Sequence, residues 1–181
     1  MAKEIYLDNA ATTRVDDSVV KLMKKYALIE YGNASSQHIK GQEAKRALEQ
    51  ARDVIANSIG AKSNEIYFTS GGTESNNWAL KGLWFENKEK GMEKNHIIVS
   101  KIEHDCVLNS CKWLEKQGAK VTYLDGDPQG FIDLSQLKKE ITDKTLVVSV
   151  IHGNNEIGTI QELEEISKIC KSKGAFLHTD A

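Results

Sequence analysis

Two runs of the sequence, HIIVSK (96–101) and TLVVSVI (145–151), are apolar at successive positions instead of at alternate ones. A strand that alternates can leave one face in water. A strand that is continuously apolar must be covered on both, as strands of a largely parallel sheet are. The intervening segments agree. GQEAKRALEQARDVIANSIGA (41–61) sets Ala44, Ala47, Leu48, Ala51, Val54 and Ile55 at helical spacing, places charges on the opposite face and closes at Gly60. Helices are likewise predicted over TESNNWALKGLWFEN (73–87), HDCVLNSCKWLEKQ (104–117), LSQLKKEI (134–141) and QELEEISKICKSKG (161–174). Strands are predicted at EIYFTS (65–70), KVTYL (120–124) and AFLH (175–178). The expectation is an α/β fold: a mainly parallel sheet with helices on both faces, preceded by an N-terminal arm over 1–15, with 16–181 as one domain.

Charge and composition narrow the partners. The 24 basic and 26 acidic residues nearly cancel and form no basic stripe, which argues against a nucleic-acid partner and for a small molecule. No apolar run approaches the ~20 residues a membrane span requires, and MAKEIYLDNAATT lacks the apolar core of a signal peptide. The sequence therefore reads as cytoplasmic, without a membrane partner. Cys106, Cys111 and Cys170 lack CxxC spacing and are expected to be reduced thiols packed in helices, with no metal site.

In open α/β sheets ligands sit outside the carboxyl ends of the strands, and four such ends carry polar residues. FTSGGTESNN (68–77) offers side-chain-free amides, a hydroxyl and a helix N-terminus, a ready phosphate site; the alternative is a tight turn with Thr73 as a cap. It is neither a Walker loop nor a GxGxxG fingerprint. His104 follows a strand, where a structural or surface histidine is equally admissible. Asn154 and Asn155 suit a turn of unusual backbone geometry, or an amide bonding a ligand hydroxyl or phenolate. Asp180 could be a turn former or the anionic partner of a cationic heterocycle nitrogen. A phosphate cradle, a flat side chain able to stack, an amide and a carboxylate are together what pyridoxal 5'-phosphate requires of a protein.

YLDNAATT, YGNASSQH, FTSGGTESNN, EH, GFIDL, VSVIHGNNEIGTIQ and HTDA occur in that order from residue 6 to residue 181. In these stretches the sequence resembles the N-terminal half of a cysteine desulfurase, within the class V aminotransferases of the fold-type I pyridoxal-phosphate enzymes. The resemblance implies the large-domain fold of that type, incomplete at its C-terminus. It implies that Gly72 and Thr73 hold the cofactor phosphate, that His104 stacks on the pyridine ring in a catalytic role, and that Asn155 reaches the phenolic oxygen. By the same resemblance Asp180 pairs with the ring nitrogen, Asn33 lies near the substrate carboxylate, and Ala11 and Thr12 border the substrate site. Ala34 departs from the family, which usually has proline there.

The implied activity is conversion of L-cysteine to L-alanine, with sulfur carried as a persulfide on an enzyme cysteine for iron–sulfur cluster or thio-cofactor assembly. The implied partners are a second copy in a homodimer or a complementing C-terminal polypeptide, together with a sulfur-acceptor or iron–sulfur scaffold protein. Family members continue past the Asp180 strand to the lysine that carries the cofactor and to the acceptor cysteine. Neither position falls within these 181 residues, so the isolated chain is expected to be inactive. A selenocysteine lyase, another aminotransferase, and a non-catalytic cofactor-binding or scaffold subunit are the alternative readings.

Overall fold

In the computed structural model, which describes residues 5–181, four strands form one sheet: β1 (His96–Ser100), β2 (Lys120–Leu124), β3 (Thr145–Ser149) and β4 (Phe176–His178). Their order is β2-β1-β3-β4 and every pairing is parallel. β1 and β3 occupy the centre and are buried at every residue, which is why their sequences are continuously apolar.

Alternation along the strands distributes the core between the two faces. Ile97, Val99 and Val147 pack with Leu80 and Trp84 of α3 (Gly72–Glu89) and with Val107, Cys111 and Leu114 of α4 (Asp105–Lys116). Ile98, Val148 and Val150 pack on the other side with Leu137 of α5 (Leu134–Glu140) and with Ile166 and Cys170 of α6 (Leu163–Ser172). Complete burial of each such side chain contributes roughly 1.5–3 kcal/mol. Helices therefore cover both faces, as the strand pattern requires.

The described residues divide into two compact units between Phe68 and Thr69; the sheet and its helices make up the second. The first holds α1 (Asp17–Leu28) and α2 (Ile39–Ile59). Asp16 caps α1, its Oδ1 accepting the Ser18 amide at 2.8 Å. Gly60 ends α2 at φ +68°, a left-handed conformation that glycine adopts without strain. The apolar stripe expected on α2 is helical, yet Val54 remains 68% exposed. The arm, 1–15, lies in this unit; residues 1–4 are outside the described residues, and 5–15 contain no helix or strand.

One expected strand does not form. EIYFTS starts on the last residue of a short 3-10 turn, Ser63–Glu65, and continues as neither helix nor strand, with Tyr67 68% exposed. The Ile66 amide turns back to the Ser63 carbonyl at 3.2 Å and the Ile66 carbonyl accepts Arg52 Nε at 3.4 Å, so these backbone groups are taken by partners outside a ladder. No helix among the described residues is long and apolar enough to cross a membrane.

Candidate functional site

From β1 the chain moves to β2 on one side of the sheet, then crosses to β3 on the other. The direction of winding reverses between β1 and β3, and in open α/β sheets the carboxyl ends beside such a reversal are where ligands bind. The turn after β1 carries Glu103 and His104, the turn after β3 carries Ile151 to Asn155, and Thr179 and Asp180 follow β4. These segments are tied to one another. The Asp180 carbonyl accepts the His152 amide at 2.9 Å, Thr179 Oγ1 donates to the Val150 carbonyl at 2.8 Å, and Asn154 Nδ2 donates to the Ile102 carbonyl at 2.8 Å.

The half-buried Asp180 stands at the end of a chain of polar contacts. Asn76, 4% exposed on α3, donates from Nδ2 to Asp180 Oδ2 at 2.8 Å. Its Oδ1 lies 3.1 Å from His178 Nε2, and His178 Nδ1 lies 2.8 Å from Ser149 Oγ. Burial lowers the pKa of His178, partly offset by the charge of Asp180, so the ring is neutral near neutrality. The consistent assignment of protons is Ser149 O–H to Nδ1, Nε2–H to Asn76 and Nδ2–H to Asp180. An amide, not a cation, therefore backs the carboxylate. The sequence reading does not single out Asn76; its signal is positional, one helical turn after Gly72.

His104 has two aspects. It is the N-cap of α4, Nδ1 accepting the Cys106 amide at 3.2 Å, which is the structural role the sequence left open. Because an N–H can only donate, Nδ1 carries no proton and the neutral ring keeps its proton on Nε2. The residue is exposed, so ring and Nε2–H are presented to solvent. Cys106 Sγ lies 3.0 Å from Nδ1 and receives Asn76 Nδ2 at 3.2 Å. Of the three thiols, Cys111 and Cys170 are packed in the core as expected. Cys106 is half-buried and packs against the edge of that core, and its Sγ also joins His104 to Asn76, because its place at the start of α4 faces the first turns of α3.

The first amides of a helix have no intrahelical partner, and at α3 the N-cap is Gly71, which has no side chain to accept them. Ser70 turns its amide and hydroxyl to Glu74 Oε2, at 2.6 and 2.7 Å. These bonds, the backbone one foremost, lower the pKa of Glu74. Gly72 and Thr73 are exposed, and a Cβ built on Gly71 or Gly72 would meet nothing within 4 Å. The way to these amides is open, as an anion site requires.

Asn155 is exposed in the turn after β3. The turn is built by its neighbour: Asn154 Oδ1 accepts the amides of Glu156 and Ile157 at 2.9 and 3.0 Å. Neither asparagine adopts the positive φ that would have explained it as a turn former of unusual geometry. Asn33, Ala11 and Thr12 belong to the first unit. Asn33 Oδ1 there accepts the Ser35 amide at 3.0 Å and its hydroxyl at 2.7 Å. A Cβ on Gly41 would fall 2.8 Å from the Asn33 carbonyl, so the loop closes tightly on α2 although Ala34 replaces the family's proline. The amides of Ala11 and Thr12 turn back to the Asp8 carbonyl at 3.3 and 3.4 Å.

Comparison with known proteins gives a consistent relationship. Residues 5–181 match the family Aminotransferase class-V. The chain is 50% identical to a cysteine desulfurase IscS of Dictyoglomus turgidum over all of its own length and 45% of the relative's. A solved NifS-like protein superimposes with a TM-score of 0.90 at 40% identity, covering 96% of this chain and 47% of that one. A structure of SspA in complex with cysteine superimposes at 0.89 with 42% identity, over 95% and 49%. The chain thus spans about half the length of the relatives it matches. With the sheet order, the helix N-terminus of α3 and the match running through both units, the chain belongs to the class V aminotransferase family.

Proposed function

We propose that this chain is the cofactor-binding part of a cysteine desulfurase, taking L-cysteine to L-alanine and passing the sulfur to an enzyme cysteine. The observation that carries the reading is the neutral relay Ser149–His178–Asn76 behind Asp180, which leaves the carboxylate's charge for a cationic ring nitrogen. The residues suit pyridoxal phosphate: open amides for its phosphate at Gly72 and Thr73, an exposed imidazole at His104, an amide at Asn155 and a carboxylate at Asp180. When bound, this cofactor supplies an electron sink for bond breaking beside the substrate amino group.

In this reading Asp180 holds the proton at the ring nitrogen and Asn76 fixes the carboxylate's direction. His104 stacks on the ring and, with Nδ1 occupied by the Cys106 amide, offers Nε2–H for proton transfer. Asn155 orients the ring through its phenolic oxygen, and Asn33, Ala11 and Thr12 border the substrate carboxylate. L-cysteine is supported as substrate by the names of the desulfurase relatives and by the cysteine-bound SspA structure. The cofactor-bearing lysine and the acceptor cysteine come from a C-terminal part, and a second copy and a sulfur-accepting or iron–sulfur scaffold protein complete the assembly in the cytoplasm. The test is a spectroscopic titration of the purified chain with pyridoxal phosphate. Weak saturable binding that inorganic phosphate displaces is expected; no binding, or binding insensitive to phosphate, contradicts the reading.

A further inference from the structure

Glu103 precedes His104 and has no part in the scheme above. It is 6% exposed, an unusual place for a carboxyl group. One oxygen, Oε1, accepts the amide of Ile151 in a short hydrogen bond. The other, Oε2, is buried without a hydrogen-bond partner. Glu103 thus reaches from the turn after β1 to the turn after β3, at the point where the sheet's winding reverses. Beside it, Asn154 Nδ2 bonds the Ile102 carbonyl, so two side chains stitch the same pair of turns from opposite directions.

We infer that Glu103 is a positioning residue of this site, holding the His104 turn in register with the Asn154–Asn155 turn and releasing its proton when a cation settles against Asp180. The inference rests on the cofactor reading for its second half only. An orphaned buried oxygen is costly when the group is ionised, and a proton on Oε2 removes that charge while Oε1 still accepts from Ile151. Among the described residues, the ionisable groups whose charge couples to Glu103 are Asp180 from the end of β4 and Cys111 from α4. Burial first and the negative charge of Asp180 next push its pKa up to about 7, against the bond from Ile151. A cation paired with Asp180 offsets that charge, favours the ionised form of Glu103 and sends its proton to solvent. Cofactor charge and loop register are then linked through one carboxyl group.

Two measurements on the full chain separate the halves. Amide hydrogen exchange, read without ligand, reports the register: Glu103→Leu removes the acceptor and should speed exchange at Ile151 at least about tenfold, whereas Glu103→Gln, which retains an acceptor oxygen, should restore protection. Proton release on binding pyridoxal phosphate is read by calorimetry in buffers of different ionisation enthalpy. At pH 7 the parent should release a fraction of a proton more than Glu103→Gln, at most about half because burial still favours the protonated form, and the difference should vanish at pH 9, where Glu103 is already ionised. Unchanged Ile151 protection in Glu103→Leu overturns the register half. Equal proton release by parent and Glu103→Gln at pH 7 overturns the linkage. A parent that binds no pyridoxal phosphate contradicts the cofactor reading and the linkage with it, while the exchange data still decide the register.

Discussion

Asn76 Nδ2 donates to Asp180 Oδ2 at 2.8 Å although 104 positions separate the two residues. The contact joins the second turn of α3 to the end of the last strand, and through Cys106 it reaches the turn of His104. Asn76→Ala would leave Asp180 Oδ2 and the His178 Nε2–H without their partner in a buried setting. A loss of about 1–3 kcal/mol in stability is expected, measured by denaturant unfolding. Asn76→Asp should be worse for ligand binding than for folding, because a second carboxylate beside Asp180 favours the protonated form of the pair. A stability unchanged in Asn76→Ala would mean that the relay is not formed in solution.

The three cysteines should differ sharply in reactivity. Burial pushes the Cys111 thiol up to about 12 and the Cys170 thiol up to about 11, and both are in the core. Cys106 is half-buried beside His104 Nδ1. Brief treatment of the native chain with a thiol reagent should therefore label one site, and peptide mapping should find it at Cys106. Labelling at Cys111 or Cys170 under native conditions would contradict the packing described for α4 and α6.

Glu103 should leave a mark on stability as a function of pH. Its folded pKa is raised to about 7 from 4.5, so between these values the folded chain retains a proton that the unfolded chain has lost. Stability from this group is full below pH ~4.5, falls as pH rises to ~7 and is flat above; at most it amounts to roughly 3 kcal/mol. Glu103→Gln should abolish that decline, read as the difference between the two proteins' unfolding curves at pH 5 and pH 8. His178, with a lowered pKa, acts in the opposite sense, losing stability as pH falls below ~6.5, and the comparison with Glu103→Gln cancels it. Parallel pH profiles would show that Glu103 is already ionised in the folded protein between pH 5 and pH 8.

The parts of the fold legible in the sequence are those whose cause is local. The central strands betray themselves by apolar residues at successive positions, 97–99 and 146–148, and α2 and α4 by periodicity closed with Gly60 or opened by a cap. α1 is absent from the expected helices although its signal lies in the sequence: Asp16 caps it and Val19, Leu22, Met23 and Tyr26 stand at helical spacing with lysines on the other face. The segment 65–70 has strand composition, but the Ile66 amide and carbonyl are taken by Ser63 and Arg52, a competition that composition does not display. In the site, His104 and Asp180 stand out because strand ends are where α/β sheets place ligands. Asn76 and Glu103 do not, since their roles come from partners 104 and 48 positions away.

The central claim is that the end of β4 and the start of α3 form one cofactor cradle, and calorimetry with two ligands tests it most directly. Charge-assisted bonds to phosphate and ring nitrogen contribute roughly 1.5–3 kcal/mol each when formed. Asp180→Asn keeps the size and removes the charge; it should weaken pyridoxal phosphate about tenfold or more and leave inorganic phosphate unchanged. Thr73→Val should weaken both ligands. If the parent binds the cofactor and Asp180→Asn binds it equally well, Asp180 does not pair with the ring, and the account of this site is wrong.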